Sequence, residues 1–177
     1  MKTIFLTVLT SFVFFGFNTR SPKTNFPEPP TSANRLFYIQ RSNNANTVIY
    51  DANLIADKKL NLQKPIDVYW IRYAEKGQKE DLSNLQWQLA YGYKTHTANP
   101  ASNTVEITLN AFKNRPITLD YHQGKLAAFT QIKGCRASLQ KVFVQLASTA
   151  LIPKVAYIEL FGFDSVKNQA VYERIYV

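Results

Sequence analysis

Pro116-Ile117-Thr118-Leu119-Asp120-Tyr121-His122-Gln123-Gly124-Lys125-Leu126-Ala127-Ala128-Phe129-Thr130-Gln131-Ile132-Lys133 reads as two strands joined by a tight turn. Glycine at 124 permits the positive φ that a two-residue hairpin turn demands, so the turn centres on Gln123-Gly124. Pairing outward from it sets Ile117, Leu119 and Tyr121 on the same face as Leu126, Ala128, Thr130 and Ile132. Turn chemistry and apolar alternation are independent signals, and here they agree on antiparallel β structure.

Working outward, the same grammar recurs. Upstream, residues 35–42 and 47–53 flank the polar linker Asn43-Asn44-Ala45-Asn46, with Phe37, Ile39 and Arg41 on the face of Val48 and Tyr50. A third strand over 66–74 places Ile66, Val68, Trp70 and Arg72 on one side and Asp67, Tyr69, Ile71 and Tyr73 on the other. Leu82, Leu85 and Leu89 recur at helical spacing after a candidate cap at Asp81, with Gly92 as a stop, so one short helix is expected over 81–91. Strands at 92–97 and 104–111 precede the hairpin, and 139–146, 154–163 and 170–177 follow it. The expected class is all-β: an antiparallel meander of about ten strands, with one short helix after the third, closed into a barrel or folded into a sandwich to protect its edges.

Toward the N-terminus the pattern changes. Lys2 precedes a run over residues 3–17 dense in Phe, Leu and Val, about fifteen residues long and so short of the roughly 20 a spanning helix needs. This outlines a signal peptide over residues 1–20 and an exported chain, periplasmic or cell-envelope associated, with no transmembrane segment after cleavage. The cleavage region around Gly16-Phe17-Asn18 lacks a clean pair of small residues three apart. Residues 21–34 hold Pro22, Pro27, Pro29 and Pro30, half of the eight prolines, and read as an extended tether. Residues 35–177 then suit a single β-rich domain.

Composition narrows the partners. Loss of Lys2 and Arg20 with the signal would reduce the 21 basic residues to 19 against 12 acidic, a net charge of +7. Such a protein can meet anionic envelope components. Its Lys and Arg are scattered without a run or a binding module, so nucleic acid is not an expected partner. The single cysteine, Cys135, has no internal disulfide partner and is expected to be a buried thiol.

Several segments together resemble a known family: Leu36-Phe37-Tyr38-Ile39-Gln40-Arg41-Ser42-Asn43, Asn46-Thr47-Val48-Ile49-Tyr50-Asp51, Pro65-Ile66-Asp67-Val68-Tyr69-Trp70-Ile71-Arg72, Ala90-Tyr91-Gly92 and Tyr157-Ile158-Glu159-Leu160-Phe161-Gly162. They look like the uncharacterised bacterial domain-of-unknown-function family number 4833, over nearly all of the chain after the tether. The resemblance implies an exported bacterial domain with no assigned activity, so no catalytic residue carries over from it. It also implies that the segment around Trp70 and Arg72 belongs to the family's shared pattern.

No Cys-rich, His-Glu, phosphate-cradling or nucleophile-elbow motif is present, and no catalytic residue, metal site or cofactor is assigned. His96 and His122 lie near turns, where a solvated ring is the ordinary outcome. Glu159 and Glu173 sit on successive strands, but counting back from the last loop sets Glu159 opposite Arg174, which favours a cross-strand ion pair over a carboxylate dyad. Asp67 and Asp120 have no visible partner. The site expected is one of binding: if the sheet encloses a cavity, Trp70 and Arg72, with Arg41 and Tyr50 on a nearby hairpin, would hold a small anionic or glycan ligand. The competing structural reading makes Trp70 core and lets Arg72 snorkel to the rim. A protein-interaction module using a sheet edge and a hydrolase with an unrecognised site are the alternative functions.

Overall fold

The computed structural model describes residues 26–147 and 154–177; the proposed signal peptide lies outside them. Eleven strands form one sheet: β1 (Arg35–Arg41), β2 (Asn44–Ala52), β3 (Ile66–Ile71), β4 (Lys79–Asp81), β5 (Tyr93–Asn99), β6 (Thr104–Leu109), β7 (Phe112–His122), β8 (Lys125–Ile132), β9 (Cys135–Leu146), β10 (Val155–Asp164) and β11 (Gln169–Tyr176). The sheet runs β4-β3-β2-β1-β9-β8-β7-β6-β5, and β10, carrying β11, lies along the remaining edge of β9.

The central hairpin forms as its sequence dictates. His122 pairs with Lys125, Tyr121 with Leu126 and Leu119 with Ala128. Gln123 and Gly124 take φ of 52° and 76°, and Ile117, Leu119, Ala128 and Ile132 are buried on one face. The first hairpin keeps its expected facing, Phe37 against Tyr50 and Ile39 against Val48, although its turn is tighter than the linker implied and β2 begins at Asn44.

The architecture departs from a simple meander at β9. This strand runs antiparallel to β8 at Ser138 and parallel to β1 at 141–144, while β10 pairs along its other edge from Ser138 to Leu146. Since Val142 pairs with both Ile39 and Leu160, β1 and β8 share one edge of β9, end to end. The sheet therefore forks into two wings, β1–β4 and β5–β8, and is mixed, curled and open: a half-barrel rather than the closed barrel or sandwich expected. A parallel pairing between the first strand and the ninth has no local sequence signature, because it depends on chain separation rather than on a turn.

Side chains and one short crossover join the wings across a single apolar core. Tyr50 donates to the Tyr91 carbonyl (2.7 Å), and the Tyr93 hydroxyl donates to the Ile66 carbonyl (3.1 Å) while accepting from its N–H (3.3 Å). The crossover is shorter than expected. Asp81 ends β4, Ser83 is the cap, and α1 (Asn84–Gln86) passes into a π turn, Trp87–Tyr91, stopped at Gly92. Leu82 packs against the core as the spacing predicted, but Leu85 of α1 is exposed, and the five-residue winding then turns Ala90 and Tyr91 inward and leaves Leu89 exposed. A second longer connection, residues 53–65, contains the 3₁₀ turn Ala56–Lys58 and buries Leu60.

Candidate functional site

Trp70 is 1 % exposed and packs edge-on to Tyr91 with ring centroids 5.0 Å apart. Its indole N–H donates to Gln86 Oε1 (3.2 Å), and that same oxygen accepts from the Ser83 backbone in the capping box. The helix cap thus fixes the tryptophan. The guanidinium carbons of Arg41 and Arg72 stand 5.0 and 4.9 Å from the Trp70 ring, so three of the four residues expected at a binding site converge.

Their partners separate their roles. Arg72 makes a bidentate pair with Glu80 (2.9 and 2.7 Å), the hydrogen bonds holding the Glu80 carboxyl below its ordinary range. Its charge is satisfied within the fold, as the snorkelling reading required. Tyr50 is fully buried, stacked on Phe37 at 4.3 Å, its hydroxyl spent on the Tyr91 carbonyl; burial pushes its phenol far above the usual range. Tyr50 is therefore core. Arg41 differs from both. Arg35, Arg72, Arg115, Arg136 and Arg174 each pair with a carboxylate, and among the described residues Arg41 is the arginine without one. Its Nε is buried with no hydrogen-bond partner. The guanidinium also lies 5.7 Å from the Tyr91 ring, where its charge and a hydrogen bond to the phenol offset part of the rise that burial imposes on it.

Next to this cluster the half-barrel is not filled. A cavity of about 630 Å³ lies between β9–β11 and β6–β7, walled by Ile39, Leu109, Ile117, Leu139, Val142, Val144, Ile158, Leu160 and Ile175. Tyr91 and Ala90 of the π turn line it too, and Asn110 presents a buried Oδ1 with no partner while its amide donates to the Trp87 carbonyl (2.8 Å). Lys113, Asn114, Tyr176 and Val177 line its exposed rim. Far from Arg41 in the sheet register, Arg115 spans from β7 to β11, making a bidentate pair with Glu173 (3.1 and 3.0 Å) and bonding the Gln131 carbonyl. Sequence reasoning missed Tyr91, Asn110 and the whole cavity wall. The wall residues look like ordinary alternating core positions, and only the fork at β9 separates their side chains.

The remaining polar candidates are occupied or apart. Glu159 faces Arg174 as counted (Nη2 to Oε1, 2.7 Å), yet it is fully buried; Tyr172 also donates to Oε1 (2.6 Å), and Oε2 has no partner. Glu173 is held elsewhere by Arg115, so the two carboxylates form no dyad. Asp67 and Asp120, expected to be unpartnered, pair with Lys64 (2.8 Å) and Arg136 (3.3 Å), neighbours that strand alternation alone does not reveal. His96 bonds Thr108 (2.8 Å) and His122 packs against Phe129, so each has its own neighbour. Cys135 is only half-buried, with Lys167 Nζ 3.4 Å from its sulfur. Among the described residues there is no cluster of three metal-ligating side chains and no helix long and apolar enough to cross a membrane.

The described fold and its cluster lie almost wholly within residues 37–174, which match the family model described as Domain of unknown function (DUF4833). The chain belongs to the DUF4833 family. No curated protein and no solved structure matches it. For this DUF4833 domain the functional argument therefore rests on its own geometry, and Trp70, Arg72 and Arg41 lie inside the matched span.

Proposed function

We propose that this DUF4833 domain is a non-catalytic binding domain that holds one small, largely apolar ligand inside its half-barrel. The observation that carries the reading is the cavity of about 630 Å³, walled by aliphatic side chains where a fold of this size would ordinarily pack solid. Its volume falls in the range of small-molecule sites, roughly 300–1,000 Å³, and it has the expected makeup of an apolar wall with few polar groups. The π turn that contributes Tyr91 fits the same reading, since such turns concentrate at functional sites. Export, proposed from the apolar run over residues 3–17, would place this binding outside the cytoplasm.

The test is titration with the uncharged dye N-phenyl-1-naphthylamine, which brightens in apolar surroundings. One saturable site per chain is expected. Ile158→Trp, which grows into the cavity from its wall, should weaken the dye at least tenfold while the far-ultraviolet circular dichroism stays unchanged. Absence of saturable binding, or a folded Ile158→Trp protein that binds the dye undiminished, would refute the reading.

A further inference from the structure

The cavity has one chemically distinctive corner. On the core face, the register across β1, β9, β10 and β11 forms rows of side chains. One row runs Ile39, Val142 and Leu160, and every member lines the cavity. The next runs Arg41, Val144, Ile158 and Ile175; the last three line the cavity, and Arg41 completes the row. Arg41 therefore stands where an apolar residue would continue the wall, beside Tyr91, which lines the same space.

We propose that the ligand is an aliphatic carboxylate, with its chain along the cavity wall and its head group on the guanidinium of Arg41. This rests on the cavity reading above and specifies its ligand class. A half-buried guanidinium whose partner is the neutral Tyr91 phenol, with no carboxylate and an orphaned Nε, is costly to maintain in a fold that neutralises its other arginines. A bound carboxylate supplies what is missing, accepting paired hydrogen bonds in the fork geometry that guanidinium presents. Trp70 and Tyr91 hold the group in place by their ring faces and edges, so it is preorganised before any ligand arrives. The cations lining the cavity are Lys113 and Arg115, and Arg41 adjoins it behind Tyr91 and Val144; of the three only Arg115 is matched by a carboxylate, Glu173, so the balance of side-chain charge here is positive. A sugar fits less well, because the wall offers it few free polar groups: Thr130 donates to the Pro116 carbonyl and Arg115 is taken by Glu173.

The experiment competes dodecanoate and dodecanol, equal in chain length and differing in head group, against the neutral dye at concentrations below the micelle threshold of the acid. Dodecanoate should displace the dye at a tenfold or more lower concentration than dodecanol. Arg41→Met should erase that preference, so that acid and alcohol displace the dye at similar concentrations, and Arg41→Lys should restore part of it. In the unaltered protein, raising the ionic strength from about 0.05 M to about 1 M should shrink the preference, a readout independent of any variant's folding. Equal binding of acid and alcohol, or a preference that survives Arg41→Met, overturns the assignment of Arg41 and leaves the cavity reading standing. Failure of dye, alcohol and acid alike overturns the cavity reading itself.

Discussion

At the residue scale, the arginines of this domain are mostly packing elements. Arg72 covers Trp70 and pairs with Glu80, Arg136 lies 3.9 Å over Phe129, and Arg174 lies 4.3 Å over Tyr157. Arg72→Ala should therefore lower thermal stability and leave the preference for dodecanoate over dodecanol intact, whereas Arg41→Met removes that preference; melting curves and the dye-displacement titrations check both. Tyr50→Phe removes only the hydroxyl that serves the buried Tyr91 carbonyl, and leaving that acceptor unpaired should cost about 1–3 kcal/mol in urea unfolding. Gly162 tests backbone approach: an added Cβ would meet the Ser138 carbonyl oxygen at 2.5 Å and Ile132 Cδ1 at 2.6 Å. The backbone there bulges between Phe161 and Gly162, so Gly162→Ala should destabilise by roughly 1–3 kcal/mol. The convergence of Arg41, Arg72 and Trp70 was legible in the sequence, because β1, β2 and β3 are consecutive and their register follows from alternation. Which arginine stays unpaired was not, since it depends on Glu80, carried by a three-residue strand too short to show a period.

At the element scale, the same contrast recurs. The hairpin β7–β8 and the facing of β10 on β11 were legible because turns fix their registers, down to Glu159 opposite Arg174. The burial of that ion pair was not, nor was the parallel pairing of β1 with β9, because nothing local encodes what covers a strand or which distant strand lies beside it. The helix misled for a different reason: its leucine spacing is genuine, but the winding changes pitch after Gln86 and carries Leu89 out to solvent. Such long-range links leave a pH signature. Burial raises the Glu173 carboxyl, but the bonds from Arg115 and from the Lys133 N–H outweigh it and leave Glu173 below its ordinary value of 4.5. A carboxyl lowered in the folded state adds stability that is fully present above 4.5 and fades as pH falls through its folded value. Glu173→Gln should therefore lower stability near neutrality and flatten the loss on acidification below about pH 4.5, read from melting temperatures across that range.

At the scale of the whole molecule, β9 belongs to both wings and to β10, so neither wing has a core of its own. The apolar cluster runs from Phe37, Tyr50 and Trp70 through Leu119 and Ile132 to Leu160 without a seam. Tyr50 ties the crossover to the first wing, Tyr93 ties β5 of the second wing to β3 of the first, and the Tyr121 hydroxyl reaches across to the Lys58 carbonyl. Opening one wing would strip the other of half its core and leave the polar tips of Tyr50 and Tyr93 without partners, so partly unfolded forms gain little chain entropy for what they lose. Unfolding in urea should accordingly be a single cooperative transition, with the signals from far-ultraviolet circular dichroism and from tryptophan fluorescence superimposing. Trp70 reports the first wing and Trp87 the crossover, whereas the backbone signal is dominated by strands of both wings. A saturating ligand in the cavity should move both curves together to higher urea, by about 2.7 kcal/mol at a hundredfold excess over its dissociation constant. Separation of the two curves would mean that the wings fold independently, and the shared strand would then be a point of contact rather than the spine of one domain.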